Sequence, residues 1–151
     1  MKKARNHSIP ILITRGCGFI GSNFIPHFLQ KYPNYLIINL DKLINAGNRE
    51  NLKDMVDNPR YTFIRGDICN RTLIEWIFHE FDIREIIHSA AESPLDNSIE
   101  KPDFFIKTNI EGRFTLLDVA RNYWMESPKK YNREHQGCRF HYNYTLKRGV
   151  Q

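Results

Sequence analysis

Short apolar runs alternate along this chain with longer amphipathic stretches. Ile11–Thr14 is a run rich in β-branched residues, as a buried strand requires, and a glycine cluster follows it at once. From Phe19 to about Lys31 the apolar positions recur at helical spacing, with Ile20, Phe24 and Phe28 on one face and Ile25 and Leu29 beside it. Pro26 is awkward inside that helix, because it lacks an N–H and crowds the preceding turn, at a cost of about 3 kcal/mol or a kink. Tyr35–Leu40 reads as a second strand closing at Asp41. Asn48–Val56 is a short helix stopped by Asn58-Pro59, and Tyr61–Arg65 a third strand. Thr72–Phe81 is helical, Glu85–Ser89 a fourth strand, Asp103–Trp124 a long helix entered after Pro102, and Arg139–Tyr144 a fifth strand. Met125–Gly137 is a polar, charged connector. Strands alternating with helices imply right-handed crossovers and an α/β, doubly wound parallel sheet covered on both faces. With the glycine cluster at the switch point, the strand order is 3-2-1-4-5. The domain so defined runs over 9–145, with an arm at 1–8 and a tail at 146–151.

Composition narrows the function classes. At 151 residues with 41% hydrophobic and 26% charged side chains, the chain can bury one sizeable core, which excludes collagen-like and low-complexity chains. The net charge of +5 is unevenly placed: residues 1–125 carry only +1 and residues 126–151 carry +4. A duplex-binding domain carries its basic face within the folded body, so no nucleic-acid partner is expected, and the basic tail reads as a solvated connector. Cys17, Cys69 and Cys138 are odd in number and contain no C-x-x-C, which leaves no zinc ribbon or dithiol site and points to reduced thiols in a cytoplasmic protein. The apolar run Ile9–Ile13 contains Pro10, is soon stopped by Arg15, and is too short for a signal-peptide core. No stretch approaches the roughly 18–20 apolar residues of a membrane span.

The glycine cluster carries the chemistry. Gly16-Cys17-Gly18-Phe19-Ile20-Gly21 spells G-x-G-x-x-G between a strand and a helix, the context in which glycines allow a sharp turn and close approach of a pyrophosphate to the helix N-terminus. Asp41 closes the second strand 20 residues after Gly21, where a carboxylate accepts hydrogen bonds from the adenine-ribose hydroxyls. It favours NAD over NADP, whose 2′-phosphate would meet a negative charge. A glycine turn followed by an unrelated strand-end aspartate is the bland alternative.

The string ILITRGCGFIGSNF resembles the opening of the extended short-chain dehydrogenase/reductases. Together LDKLINAGNRENL, FIRGDICNR, IIHSAAESPLDNSIEKP and FIKTNIEGRFTLLDVAR resemble the dTDP-glucose 4,6-dehydratase branch of that family, from about Ile9 to His141. The resemblance implies a Rossmann-like domain, NAD as cofactor, a nucleotide sugar (dTDP-glucose) as substrate, a homodimer, and an internal redox cycle. In that cycle bound NAD takes hydride from C4 of the sugar, water leaves across C5–C6, and the hydride returns to C6. It implies further that Phe19 and Ile20 lie along the cofactor pyrophosphate beside Gly16, Gly18 and Gly21. Asp41, Lys42, Leu43 and Ile44 would surround the adenosine ribose, and Asp67 and Ile68 the adenine. Ser89, Ala90, Ala91 and Glu92 would form the wall after strand four. Ser93 would reach both cofactor and sugar, Thr108 would add a further cofactor contact, and Thr145 would touch substrate.

Several positions depart from the family's pattern. Its T-G-x-x-G-x-x-G fingerprint places a first glycine where this chain has Arg15. A glycine permits a backbone conformation or close approach that a Cβ obstructs, so weakened NAD binding is expected there; the alternative is a guanidinium that pairs with a phosphate. Cys17 lies beside a helix N-terminus, which can lower a thiol pKa, although an inert small residue is the simpler reading. Pro94 replaces a histidine, and Ile44-Asn45 a threonine and a tyrosine. After strand five the family carries Thr-Asp-Glu, and here Thr145 is followed by Leu146 and Lys147. Leucine cannot transfer a proton and lysine is cationic at neutral pH unless desolvated. No tyrosine has a lysine four residues on; Tyr61 and Tyr144 have Arg65 and Arg148 instead. The sequence therefore offers no catalytic residue and no sugar-binding domain. The expected role is the NAD-binding half of such an enzyme, truncated or divergent and without activity of its own. The alternative is a non-catalytic dinucleotide-binding or partner-binding module of the same fold.

Overall fold

A computed structural model describes residues 8–43, 47–89, 103, 106–126 and 137–142. Five strands, β1 (Ile9–Thr14), β2 (Tyr35–Asp41), β3 (Tyr61–Arg65), β4 (Glu85–His88) and β5 (Arg139–Tyr142), form one sheet in the order β3-β2-β1-β4-β5. All four pairings are parallel, with Ile11 opposite Ile37 on one side and Glu85 on the other. The order reverses between β1 and β4, the position where doubly wound sheets open a crevice beyond their carboxyl ends.

Alternate residues of the strands supply two cores. Leu12, Ile38, Leu40 and Ile86 pack under helix α2 (Arg71–Phe81), which contributes Ile74, Ile77 and Phe78, and under helix α3 (Arg113–Arg121), which contributes Leu116, Val119 and Ala120. Ile11, Ile13 and Ile37 pack on the opposite face under helix α1 (Phe19–Lys31) and Leu52 of a 3-10 helix over Arg49–Met55. α2 starts on Asn70, whose side chain accepts the Leu73 N–H, and the 3-10 helix starts on Asn48, which accepts that of Glu50. Two expected elements differ in detail. The Asn48–Val56 segment is a tighter 3-10 helix. The long helix runs through α3 but is widened to π-type turns at Lys107–Gly112 and Asn122–Glu126. Residues 104–105 and the end of the expected fifth strand, 143–144, lie outside the described residues.

The inner face of α1 is Gly21, Ile25 and Leu29, with Phe24 and Phe28 partly buried and Ile20 about half exposed, a rotation from the face expected. The cause is contact. A Cβ on Gly21 would stand 2.5 Å from Gly16 Cα and 2.7 Å from the Gly16 carbonyl oxygen, so its absence lets the helix rest on the turn that precedes it. α1 continues through Pro26 at a half-buried position, next to the fully buried Ile25. No helix among the described residues is long and apolar enough to cross a membrane.

Candidate functional site

Between β1 and α1, the end of β2 grips the turn one group at a time. The Arg15 N–H donates to the Leu40 carbonyl (2.9 Å), Gly16 N–H to Asn39 Oδ1 (3.0 Å) and Cys17 N–H to Asp41 Oδ2 (2.9 Å). Gly18 N–H turns back to the Arg15 carbonyl at 3.2 Å. The next amides, those of Phe19 and Ile20, begin α1, which has no side-chain cap and no acidic residue in its first turn. Uncapped N–H groups and the helix dipole together favour an anion. Both side chains are exposed, Phe19 at 82%.

The three glycines do different work. Gly16 is needed for packing, since a Cβ there would fall 2.3 Å from Asn39 Oδ1. Gly21 is needed for the helix approach. Gly18 is less tightly enclosed: the atoms nearest to a Cβ there would be those of Arg15, at ordinary contact distances of 3.4–3.6 Å. It has an unstrained φ of −74°. Gly18 is itself buried, with the Arg15 side chain in contact beside it, and it leads directly into the uncapped α1 N-terminus, a setting that fits a pyrophosphate.

Arg15 takes φ 58°, in the left-handed region that favours glycine. The turn closes with arginine held in this glycine-favouring conformation, at a strain of about 1–2 kcal/mol. Leu43, at φ 59°, is also left-handed and donates its N–H to Asp41 Oδ1 at 2.8 Å. Two of the described backbone strains thus sit on either side of one carboxylate, the clustering that functional sites display. Asp41 is only 5% exposed and holds turn and strand end with its two oxygens, each keeping a further lone pair.

Beyond β3, Lys42 Nζ and Asp67 Oδ2 form an ion pair at 2.6 Å, and Asp67 Oδ1 accepts the Cys69 N–H. Burial pushes the Asp67 carboxyl up, but the hydrogen bonds from Lys42 and the Cys69 N–H outweigh it and hold the group below its ordinary value. Ile68 is buried, and a Cβ on Gly112 would collide with it at 2.5 Å, so helix and loop meet closely here. Thr108 belongs to the same wide-turned stretch, one residue after Lys107, whose carbonyl meets Cys69 Sγ at 3.5 Å. On the other side of β1, Ser89 donates its N–H to Thr14 Oγ1 at 3.1 Å. The structure thus gathers Gly16, Gly18, Phe19, Ile20, Gly21, Asp41, Lys42, Leu43, Asp67, Ile68 and Ser89 at the carboxyl ends of β1–β4. Ile44, Ala90, Ala91, Glu92, Ser93 and Thr145 lie outside the described residues.

Asn39 is a site residue that sequence reasoning missed. It is fully buried, accepts from Gly16 N–H, and donates Nδ2 to the Tyr61 hydroxyl at 2.8 Å and to Cys17 Sγ at 3.5 Å. The available signal was a lone amide inside the apolar run YLIINL. Cys17 agrees with the simpler reading of an inert small residue: burial, then the nearby Asp41 charge, pushes its thiol up to about 11 despite the adjacent helix N-terminus.

A parallel sheet wound on both faces, with a glycine turn and a strand-end carboxylate at its switch point, defines a Rossmann-like domain. The family model described as GDP-mannose 4,6 dehydratase matches residues 12–142, and the chain belongs to that family. It is 42% identical over 132 residues to the dTDP-glucose 4,6-dehydratase of Neisseria meningitidis serogroup B, covering 87% of this chain and 36% of that protein. It is 43% identical over 134 residues to dTDP-glucose 4,6-dehydratase 1 of Escherichia coli K12, covering 87% and 36%. Among solved structures, the dTDP-glucose 4,6-dehydratase of Bacillus anthracis in complex with NAD superposes with TM-score 0.68 at 40% identity, over 77% of this chain and 34% of that one. The Streptomyces venezuelae enzyme with NAD and TYD bound gives 0.70 at 39%, over 76% and 36%. The chain spans about a third of the length of the relatives it matches.

Proposed function

We propose that the chain binds NAD across the β1–β4 crevice, as the cofactor-holding part of dTDP-glucose 4,6-dehydratase chemistry. The observation that carries this reading is the interlock at Asp41: one carboxylate fixes the glycine turn through Cys17 and keeps lone pairs at the strand end, where ribose hydroxyls would donate. Solved relatives at about 40% identity that hold NAD support it. In this reading the pyrophosphate rests on Gly18, Phe19 and Ile20, the ribose on Asp41, Lys42, Leu43 and Ile44, and the adenine on Asp67 and Ile68. Gly16 and Gly21 shape the turn, and Thr108 adds a contact from the helix before α3. Ser89, Ala90, Ala91, Glu92 and Ser93 line the nicotinamide side, with Ser93 and Thr145 toward a nucleotide sugar. NAD supplies the hydride exchange when bound. The residues of this chain bind and orient it, and no acid–base group is assigned, since Leu146 and Lys147 stand where the family's acid pair falls. The domain of this reading is 9–145.

A cytoplasmic location and a homodimer belong to the same reading. Three free thiols support the first, and Ile106, Ile110, Phe114 and Leu117, exposed large apolar residues at helical spacing, support the second. Titration calorimetry with NAD and NADP tests the binding. NAD is expected to bind at least about tenfold tighter, because the 2′-phosphate would meet Asp41. Equal or tighter binding of NADP would contradict the assignment. The same preparation is expected to convert no dTDP-glucose.

A further inference from the structure

A parallel sheet is ordinarily buried on both faces. Here α2 and α3 pack on one face, and α1 and the 3-10 helix on the other. Beside α1 that second face opens as a groove of about 430 Å³. Its floor is Ile13 of β1, Glu85 and Ile87 of β4 and His141 of β5, and its wall is Phe24 and Phe28 of α1. Ile87 is only partly buried and His141 is exposed. At the amino end of the strands the Tyr35 hydroxyl donates to Glu85 Oε1 at 3.1 Å, and the Glu85 carboxylate forms no ion pair among the described residues. The groove is thus apolar with one negative charge near its lower end.

The sequence continues after Tyr142 as NYTLKRGVQ, nine residues that lie outside the described ones. Tyr142 is opposite His88 in a parallel pair, so this segment leaves β5 beside Ser89, which lines the upper end of the groove. From there residues 146–151 can reach about 20 Å when extended. The floor along β4, from Ser89 down to Glu85, measures about 13 Å at the rise of a strand. In an extended chain Leu146, Arg148 and Val150 fall on one face and Lys147 on the other. That face offers two apolar side chains and one cation, the complement of the groove.

We propose that residues 146–151 fold back along this groove as the cover of the open sheet face, with Leu146 and Val150 on its apolar floor and Arg148 paired with Glu85. Thr145 stays at the strand end. The departure from the family's acids then gains a physical reason, because an aspartate at Leu146 would meet an apolar floor and the Glu85 charge. The inference does not depend on whether NAD binds.

The test is limited trypsin digestion of the full chain, with cleavage after Lys147 and Arg148 read by mass spectrometry. Each protein is compared with the free peptide of its own 143–151 sequence, and thermal melts serve as folding controls. In the wild type, cleavage is expected to be at least about tenfold slower than in the peptide, at a rate independent of chain concentration. Glu85→Gln keeps an acceptor for Tyr35 and removes the charge, and is expected to speed cleavage about threefold. Leu146→Asp is expected to speed it about tenfold. Glu85→Lys is expected to lose protection, and Glu85→Lys combined with Arg148→Glu to regain it at the Lys147 bond. Cleavage of the wild type at the peptide's rate would overturn the proposal. Protection that neither Glu85→Gln nor Leu146→Asp relaxes would overturn it too, since the segment is then held elsewhere. So would protection that fades on dilution, which would make a second copy the occupant.

Discussion

His88 ends β4 with its imidazole fully buried. Nδ1 lies 2.9 Å from Thr14 Oγ1, which also accepts the Ser89 N–H, and Nε2 has no hydrogen-bond partner among the described residues. The ring stacks on Tyr142, which the Arg113 guanidinium covers at 4.0 Å. Burial first, and then the Arg113 charge, hold His88 down to about 4 from its ordinary 6.5. The folded state therefore stays unprotonated where the unfolded chain takes up a proton. Stability from this residue is complete above about 6.5 and is lost as pH falls toward about 4. Between pH 7.5 and pH 5 the wild type is expected to lose about 2 kcal/mol more unfolding free energy than His88→Asn, read by urea titration. An equal loss in both proteins would show that His88 is not held neutral. The position of this histidine in the strand was legible from the apolar run before it. Its resistance to protonation was not, since that depends on burial, with Tyr142 stacked on the ring, and on the Arg113 charge, contributed by distant parts of the chain.

At the scale of elements, the glycine turn is held by β2 more than by itself. Leu40, Asn39 and Asp41 take three successive amides, so a change in β2 is expected to be felt in the turn. Asn39→Leu would leave Gly16 N–H and the Tyr61 hydroxyl without their partners in a buried setting. It is expected to cost about 2–4 kcal/mol, measured by urea unfolding. A variant within about 0.5 kcal/mol of wild type would show that the contacts are not made. The strands, α1 and α2 were readable from periodicity and cap residues because local preference and burial agree there. The wide turns flanking α3 were not, because nothing in KTNIEG or NYWME departs from ordinary helical spacing. Nor was the rotation of α1, which is set by Gly21 meeting Gly16 across the turn.

For the whole molecule, topology followed from the alternation of elements and the switch-point rule, since right-handed crossovers leave few ways to wind five parallel strands. The ligand site was legible as a set of positions at strand ends. What the sequence left open was which glycines serve the protein and which serve a ligand. Gly16 and Gly21 are closed off by Asn39 and by the turn itself, whereas a Cβ on Gly18 would meet its nearest atoms, those of Arg15, at ordinary contact distances. The central claim, that this glycine is the seat of a dinucleotide pyrophosphate, is tested most directly by Gly18→Ala in paired melting and NAD titration. With an unstrained φ and no protein atom closer than 3.4 Å, the methyl group is expected to cost about 1 kcal/mol or less of stability, while NAD affinity falls at least about tenfold. A variant that folds as predicted and binds NAD as tightly as the wild type would contradict the account.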